Sequence, residues 1–451
     1  MAAKKRARLI VFLVVLLALA GAALYLAPRF MGSPPEIKLA HPPSHLGREA
    51  RLAFAVESAT GLSQVTVQVQ QGSKQAMLLD QRPTGGVILR VSLVIKPLEQ
   101  GLEQGPALLV ITARDRSWGN WFRGRVTRRE FKVVVDTQPP RIAVLSRIIR
   151  ITRGGSGIAL YRLSPDAVSH GVMVDGRVFQ GVTPWKDRPH SALCYFAYPQ
   201  DLPKGAAIKL WAQDQAGNRM EVALPVRVRW RRFRHDNIKL SQRAMQALAA
   251  RFADRLPPKA AADALAGFRY VNVELRKENN ARIHKLTSPT TTQQLWRRAF
   301  LRPRGAPMAG FADRRTYFYQ GKEISKAVHL GIDLADVAHS PVKAAARGRV
   351  AHAGPLGIYG NAVVLDHGQG VYSLYGHLSS LTVKPGEMVA RGAQVGRSGA
   401  TGLALGDHLH FSVLVGGVFV NPAEWWDPHW IADNITRHFQ EAGLTRPKPQ
   451  D

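Results

Sequence analysis

Gly406-Asp407-His408-Leu409-His410-Phe411 is the stretch on which the reading of the C-terminal fold turns. In a strand, residues two apart point to the same face, so both imidazoles face one pocket while Leu409 packs behind. Two further groups lie upstream. His329-Leu330-Gly331-Ile332-Asp333 sets an imidazole and a carboxylate close together, with Gly331 expected to let the backbone turn tightly so that both converge on one ion. Tyr375-Gly376-His377 closes the run Val371-Tyr372-Ser373-Leu374. Glycines from Gly348 to Gly402 punctuate short apolar runs, and Lys384-Pro385-Gly386 reads as a tight turn. This predicts a compact all-β domain. Nine of the 15 histidines fall between His329 and His438, and histidine is the commonest imidazole ligand of zinc.

Three protein ligands plus water is the arrangement of a catalytic zinc site. A ligand set of His, Asp and His leaves the ion with net positive charge and Lewis acidity, so that it lowers the pKa of bound water and polarises a carbonyl. Two more histidines then remain for acid–base work. No His-Glu-x-x-His occurs in the chain.

Taken together, His329-Leu330-Gly331-Ile332-Asp333, Gly348-Arg349-Val350, Asp366-His367-Gly368, Tyr375-Gly376-His377-Leu378-Ser379, Thr401-Gly402, Gly406 to Phe411 and Asn421-Pro422 resemble the lysostaphin-type, or LytM-domain, zinc metallopeptidases of the bacterial cell wall. The resemblance covers roughly Lys322 to Asp427. It implies one zinc ion per chain, held by His329, Asp333 and His410. It implies that His377 and His408 flank the metal-bound water as general base and as stabiliser of the tetrahedral intermediate, with the division of labour open. It implies hydrolysis of the peptide cross-links of peptidoglycan. The rival reading is a catalytically inactive LytM-type module that activates a separate cell wall amidase, but relatives of that kind lose zinc ligands, and all five positions are filled here. The run Val383 to Val389 with Gly392 also resembles biotinyl and lipoyl carrier barrels, without their modifiable lysine. The remaining histidines, among them His339, His352 and His367, are expected to be structural. Tyr317 and Tyr319 are expected in the core, the alternative being that one of them donates to the oxyanion.

The rest of the chain reads as mostly β. Val65-Thr66-Val67-Gln68-Val69 and Phe131 to Val135 alternate as strands do. A weak repeat, Thr60-Gly61-Leu62 before Asp115 to Asn120 and Ser156-Gly157-Ile158 before Asp214 to Asn218, suggests two sibling immunoglobulin-like β-sandwich modules over 34–137 and 138–234. Residues 235–300 read as a helical hairpin, with Met245, Leu248, Phe252 and Leu256 on one face and Leu265, Phe268, Val271 and Leu275 on another. It is either a spacer or an arm over the next domain. The peptidase-like domain spans 301–430 and a tail 431–451.

At the N-terminus, Lys4, Lys5, Arg6 and Arg8 precede Leu9 to Ala27, which carries no charge. This predicts a transmembrane anchor over 1–33 in the cytoplasmic membrane, with the bulk of the chain on the periplasmic or extracytoplasmic side. A cleaved signal peptide would deliver the chain to the same side. The single cysteine, Cys194, excludes an intrachain disulfide and a Cys-rich zinc finger. The chain carries a formal charge of +30. Residues 138–300 hold 28 basic and 11 acidic residues, whereas 301–430 hold 12 and 9. Outside the cytoplasm that surplus suits an anionic wall or headgroup layer, and no nucleic-acid partner is expected.

Overall fold

A computed structural model describes residues 2–447, with side chains from residue 12 on except those of 25, 26, 28, 29 and 31. The expected anchor lies in the helix Ala2–Met31. Among the described residues, however, no helix is long and apolar enough to cross a membrane. The transmembrane helix is not supported among the described residues; the side chains of residues 9–11, 25 and 26 of that expectation lie outside them.

The chain divides into two compact units, one of residues 1–140 with 213–219, the other of residues 141–212 with 220–451. In the first, a three-stranded sheet of Glu36–Lys38, Ala50–Glu57 and Ile88–Ile95 shares one apolar core with a five-stranded sheet that includes Leu62–Gln71, Gly105–Asp115 and Val126–Val135. The alternation read from the sequence is visible directly: Val65, Val67 and Val69 are buried, and the residues between them are half-exposed. The aspartate of each repeat does turn chemistry. Asp115 Oδ1 accepts from Ser117 N and Arg125 N, and Asp214 Oδ1 accepts from Asn218 N.

In the second unit, Ser156–Leu163 pairs antiparallel with Ser191–Ala197, and both strands are buried nearly throughout. Their core is continuous with that of the C-terminal domain. The join is aromatic: Trp425 lies 5.4 Å from both Trp296 and Phe300, and 6.2 Å from Tyr195. Each such buried ring contributes about 2–3 kcal/mol by area alone.

The C-terminal domain is built on one antiparallel sheet. Its order runs Ala306–Ala309, Ile332–Ala335, Leu409–Val415, Val371–Leu378, Asn361–Asp366, Gly348–Pro355 and Met388–Val389. A small second sheet joins Pro341–Lys343, Gln394–Arg397 and Ser380–Leu381.

The helical segment is no free spacer. Ser241 caps Gln242–Ala250 and Asp263 caps Ala264–Tyr270, each side chain accepting a backbone N–H of the first turn. Met245, Leu248 and Phe268 pack with Leu240 and Tyr317. Phe252, Val271, Leu275 and Ile283 enter the core formed by Leu334, Leu356, Val364 and Leu374. Polar bonds fix the same contact: Ile358 N donates to Asn279 Oδ1 at 2.7 Å, and the Tyr359 hydroxyl to Asn280 Oδ1 at 3.0 Å. The helix Arg276–Leu286 is thereby part of the domain that holds the histidines.

Candidate metal centre

Two neighbouring strands bring the expected ligands together. Asp333 on Ile332–Ala335 sits opposite His410 on Leu409–Val415 in the ladder. His329 precedes the first of these strands and lies over the pair. The donor atoms form a tight triangle: His329 Nε2 is 2.9 Å from Asp333 Oδ1 and 3.0 Å from His410 Nδ1, and His410 Nδ1 is 2.9 Å from Asp333 Oδ1. All three residues are buried.

The surrounding bonds decide which protons these atoms carry. His329 Nδ1 faces the Gly310 carbonyl at 2.9 Å and must donate there. Ser412 donates its hydroxyl proton to Leu330 O at 2.8 Å, so its oxygen accepts from His410 Nε2 at 3.0 Å. Each imidazole has therefore committed its one proton away from the triangle. Three lone pairs are left pointing at one another, an arrangement that a cation relieves. The triangle edges are a little shorter than the ~3.3 Å of a tetrahedral site with bonds of ~2.0 Å. A small outward movement therefore admits a zinc ion, and the donor set fits it.

Gly331 matters here for a reason other than the expected turn. It does not have a positive φ. Instead, a Cβ at this position would meet His410 Nε2 at 2.5 Å and Ser412 Oγ at 2.6 Å. The glycine leaves room for the ligand ring and the hydroxyl that orients it.

His408 and His377 flank the triangle, their ring centroids 4.8 Å apart. His408 Nε2 is 3.6 Å from Asp333 Oδ1. The loop 399–408 sets the tautomer of both rings. His377 Nδ1 donates to Thr401 O, and His408 Nδ1 to Gly406 O, both at 2.8 Å. Each Nε2 then presents a lone pair to the site. The loop is itself gripped by Arg251, whose Nη1 donates to the carbonyls of Ala400, Gly402 and Ala404 at 2.9, 3.1 and 2.6 Å. His377 is held at φ 62°, a left-handed conformation unusual for a non-glycine residue and of the kind found at functional sites.

Burial and the neighbouring imidazoles push His377 down to about 3, so it stays neutral. Burial likewise pulls His410 down to about 4. At His408 burial also lowers the pKa, but the neighbouring Asp333 carboxylate outweighs it and the net shift is upward. For Asp333, burial favours the neutral acid, yet the surrounding histidines win and hold it well below the usual carboxylate range.

A cavity of about 560 Å³ opens over these five residues. Leu248 and Phe268 of the helical segment, with Leu240 just ahead of it, line it. Arg276, Arg315, Tyr317 and Tyr359 also line it, and Arg315 Nη2 donates to Asp333 Oδ2 at 3.3 Å. Tyr317 thus borders the site as well as packing against Phe268, 5.2 Å between centroids. Tyr319 does not line the cavity. His367 is structural, bonded to Arg347 O and Ser373 Oγ at 2.8 Å each. His352 bonds Gly354 O, and His339 is exposed beside Ser379 and Asp407. The two arginines and Arg251 were not legible as site residues, because no local spacing rule ties them to the histidines.

Residues 327–422 match the model of peptidase family M23. The chain is 42% identical over 95 residues to the DD-carboxypeptidase/endopeptidase Mpg of Neisseria meningitidis, covering 21% of this chain and 22% of that protein. It is 40% identical over 95 residues to the peptidoglycan DD-endopeptidase ShyA of Vibrio cholerae, again 21% of this chain and 22% of the relative. The chain thus spans about a fifth of the length of these relatives. Among solved structures, the catalytic domain of lysostaphin from Staphylococcus simulans is 29% identical, covering 27% of this chain and 92% of that one with a TM-score of 0.23.

Proposed function

We infer that this chain, which carries a LytM-type peptidase M23 domain at its C-terminal end, is a zinc-dependent endopeptidase that hydrolyses peptide cross-links of peptidoglycan. The observation that carries this reading is the convergence of three lone pairs, from His329, Asp333 and His410, with two further imidazoles, His377 and His408, beside them in one cavity. Bound by that triad, zinc would lower the pKa of a water toward ~7 and polarise the scissile carbonyl.

The chain's own residues then divide the remaining work. His408 is the better proton acceptor, since Asp333 raises its basicity. Its Nε2 takes the proton of the attacking water and returns it to the leaving amine. His377 never charges near neutral pH. Its Nε2 accepts a hydrogen bond from the same water and orients it. Thr401 O and Gly406 O hold both rings in the required tautomer.

The extracytoplasmic location belongs to the same proposal. It rests on the basic cluster Lys4 to Arg8 ahead of the uncharged stretch Leu9 to Ala27. The chain found in the cytosolic fraction would contradict it. The chemical test is release of cross-linked muropeptides from purified wall by the full chain and by His408→Ala and His377→Ala variants. The roles assigned predict that both variants still bind zinc while losing turnover by at least ~10²-fold. Undiminished release by His408→Ala would remove it as the base.

A further inference from the structure

The cavity over the metal triad is lined by three arginines, Arg234, Arg276 and Arg315, and three aspartates, Asp236, Asp333 and Asp407, and hydrolysis of the amide does not itself require the arginines. Arg276 lies in its wall. Its guanidinium is pinned by one residue: Nε donates to Asn272 O at 3.1 Å and Nη2 to Asn272 Oδ1 at 2.9 Å. Asn272 is 1% exposed and is fixed in turn by donating from Nδ2 to Ser325 Oγ at 2.8 Å. Burial lowers the guanidinium's pKa from its ordinary value. Among the described residues no carboxylate forms an ion pair with Arg276.

The acidic residues of the same cavity are all committed. Asp236 pairs with Arg234 at 2.6 Å. Asp407 accepts from Ser398 Oγ at 2.6 Å and from His339 N at 3.2 Å. Asp333 belongs to the metal triad, and among the described residues it is the one carboxylate within ion-pair reach of Arg315. A second cavity of about 530 Å³ shares Arg315 and His235 with the first and adds Arg314 and Lys326. Its one acidic residue, Asp201, is paired with Arg177 at 3.2 Å. Asp333 is the one carboxylate whose charge is felt at Arg276, and a half-buried guanidinium with no ion-pair partner of its own among the described residues is suited to an anion supplied from outside.

We propose that Arg276, with Arg315 in the same cavity, binds a carboxylate that the substrate carries beside the scissile amide. This rests on the peptidase reading above and narrows it to anionic peptides. When D-alanine is joined to a diamino dicarboxylic acid, the carbon bearing the leaving amine also bears a free carboxylate. That group sits on the carbon next to the leaving nitrogen, and Arg276 and the metal triad line the same cavity. A guanidinium whose Nε and Nη2 are already fixed loses little freedom on binding, and the pairing is charge-assisted.

The test compares two synthetic stem-peptide dimers that differ only in this carboxylate, one as the free acid and one as the primary amide. The full zinc-loaded chain is assayed on each, together with Arg276→Gln and Arg276→Lys variants. The wild type is expected to prefer the acid by ~10–100-fold in kcat/KM, the scale of one charge-assisted hydrogen-bonded contact. Arg276→Gln should bring that ratio close to one, and Arg276→Lys should keep part of it. The ratio is internal to each preparation, so a partly unfolded variant does not distort it. A wild type that cleaves acid and amide equally, or a Gln variant that keeps the preference, overturns the proposal while leaving the peptidase reading intact. Cleavage of neither dimer, or of purified wall, fails the peptidase reading and this inference with it.

Discussion

Replacing Gly331 with alanine is a one-methyl perturbation aimed at the triad without touching a ligand. The added Cβ would lie 2.5 Å from His410 Nε2 and 2.6 Å from Cε1 of the same ring and from Ser412 Oγ. Ordinary contact needs ~3.4 Å or more, so the imidazole, the hydroxyl or the backbone must retreat by about 0.9 Å. None of these moves is cheap. His410 Nδ1 is 2.9 Å from Asp333 Oδ1, and its other nitrogen is fixed by Ser412. Disturbing an orienting partner of this kind typically costs ~10–100-fold in metal affinity, with ~1–3 kcal/mol of overpacking strain in addition. Zinc affinity of Gly331→Ala, read by competition with a chromophoric chelator, is therefore expected to fall by at least ~10-fold. Gly406→Ala, where a Cβ meets nothing within 4 Å, is the matched control. Wild-type zinc affinity in Gly331→Ala would refute the argument that this glycine exists to make room for the ligand ring.

Ser412→Ala removes the acceptor that fixes the tautomer of His410, and a comparable ~10–100-fold loss of zinc affinity is expected without a loss of fold, checked by the same competition and a thermal melt. Arg251→Ala releases three carbonyls of the loop that orients His377 and His408. It should lower kcat by ~10-fold or more with zinc content unchanged, and Arg251→Lys should recover part of the rate. Glu424 is pushed by burial from the usual 4.5 up to about 8, its carboxylate accepting from Ser156 N at 3.1 Å. The folded chain thus keeps a proton that the unfolded chain releases. Stability falls as pH rises from the unfolded value through about 8, by ~3 kcal/mol at neutral pH. Glu424→Gln should abolish that slope, melting higher than wild type near neutral pH and no higher near pH ~4.5; parallel pH dependences of the two would contradict it.

The candidate metal triad was legible because its signal is local. His408 and His410 are two apart at the start of one strand, and His329 and Asp333 straddle one glycine. Burial of the alternating valines in Leu62–Gln71 followed from period-two patterning for the same reason. The helical segment was legible as helices but not as part of the C-terminal core. Its role depends on Asn279 meeting Ile358 and on Val271 and Leu275 meeting Leu356 and Val364, contacts about eighty residues apart in sequence. Arg276 and Arg315 were hidden likewise, since a basic residue on an amphipathic helix reads as solvated until the fold sets it in a cavity wall. Gly331 was singled out correctly and explained wrongly: its backbone is unremarkable, and the cause is the space its missing side chain leaves. At the N-terminus, an uncharged run long enough on paper gave no membrane-crossing helix among the described residues.

The most direct test of the whole account is zinc stoichiometry measured on the same preparations as muropeptide release, for the full chain and for His410→Ala. The account predicts one zinc per wild-type chain with release from purified wall, and loss of both in the variant. A wild-type chain that binds no zinc and releases nothing, yet stimulates a separate wall amidase, would contradict it and turn the domain into an activator.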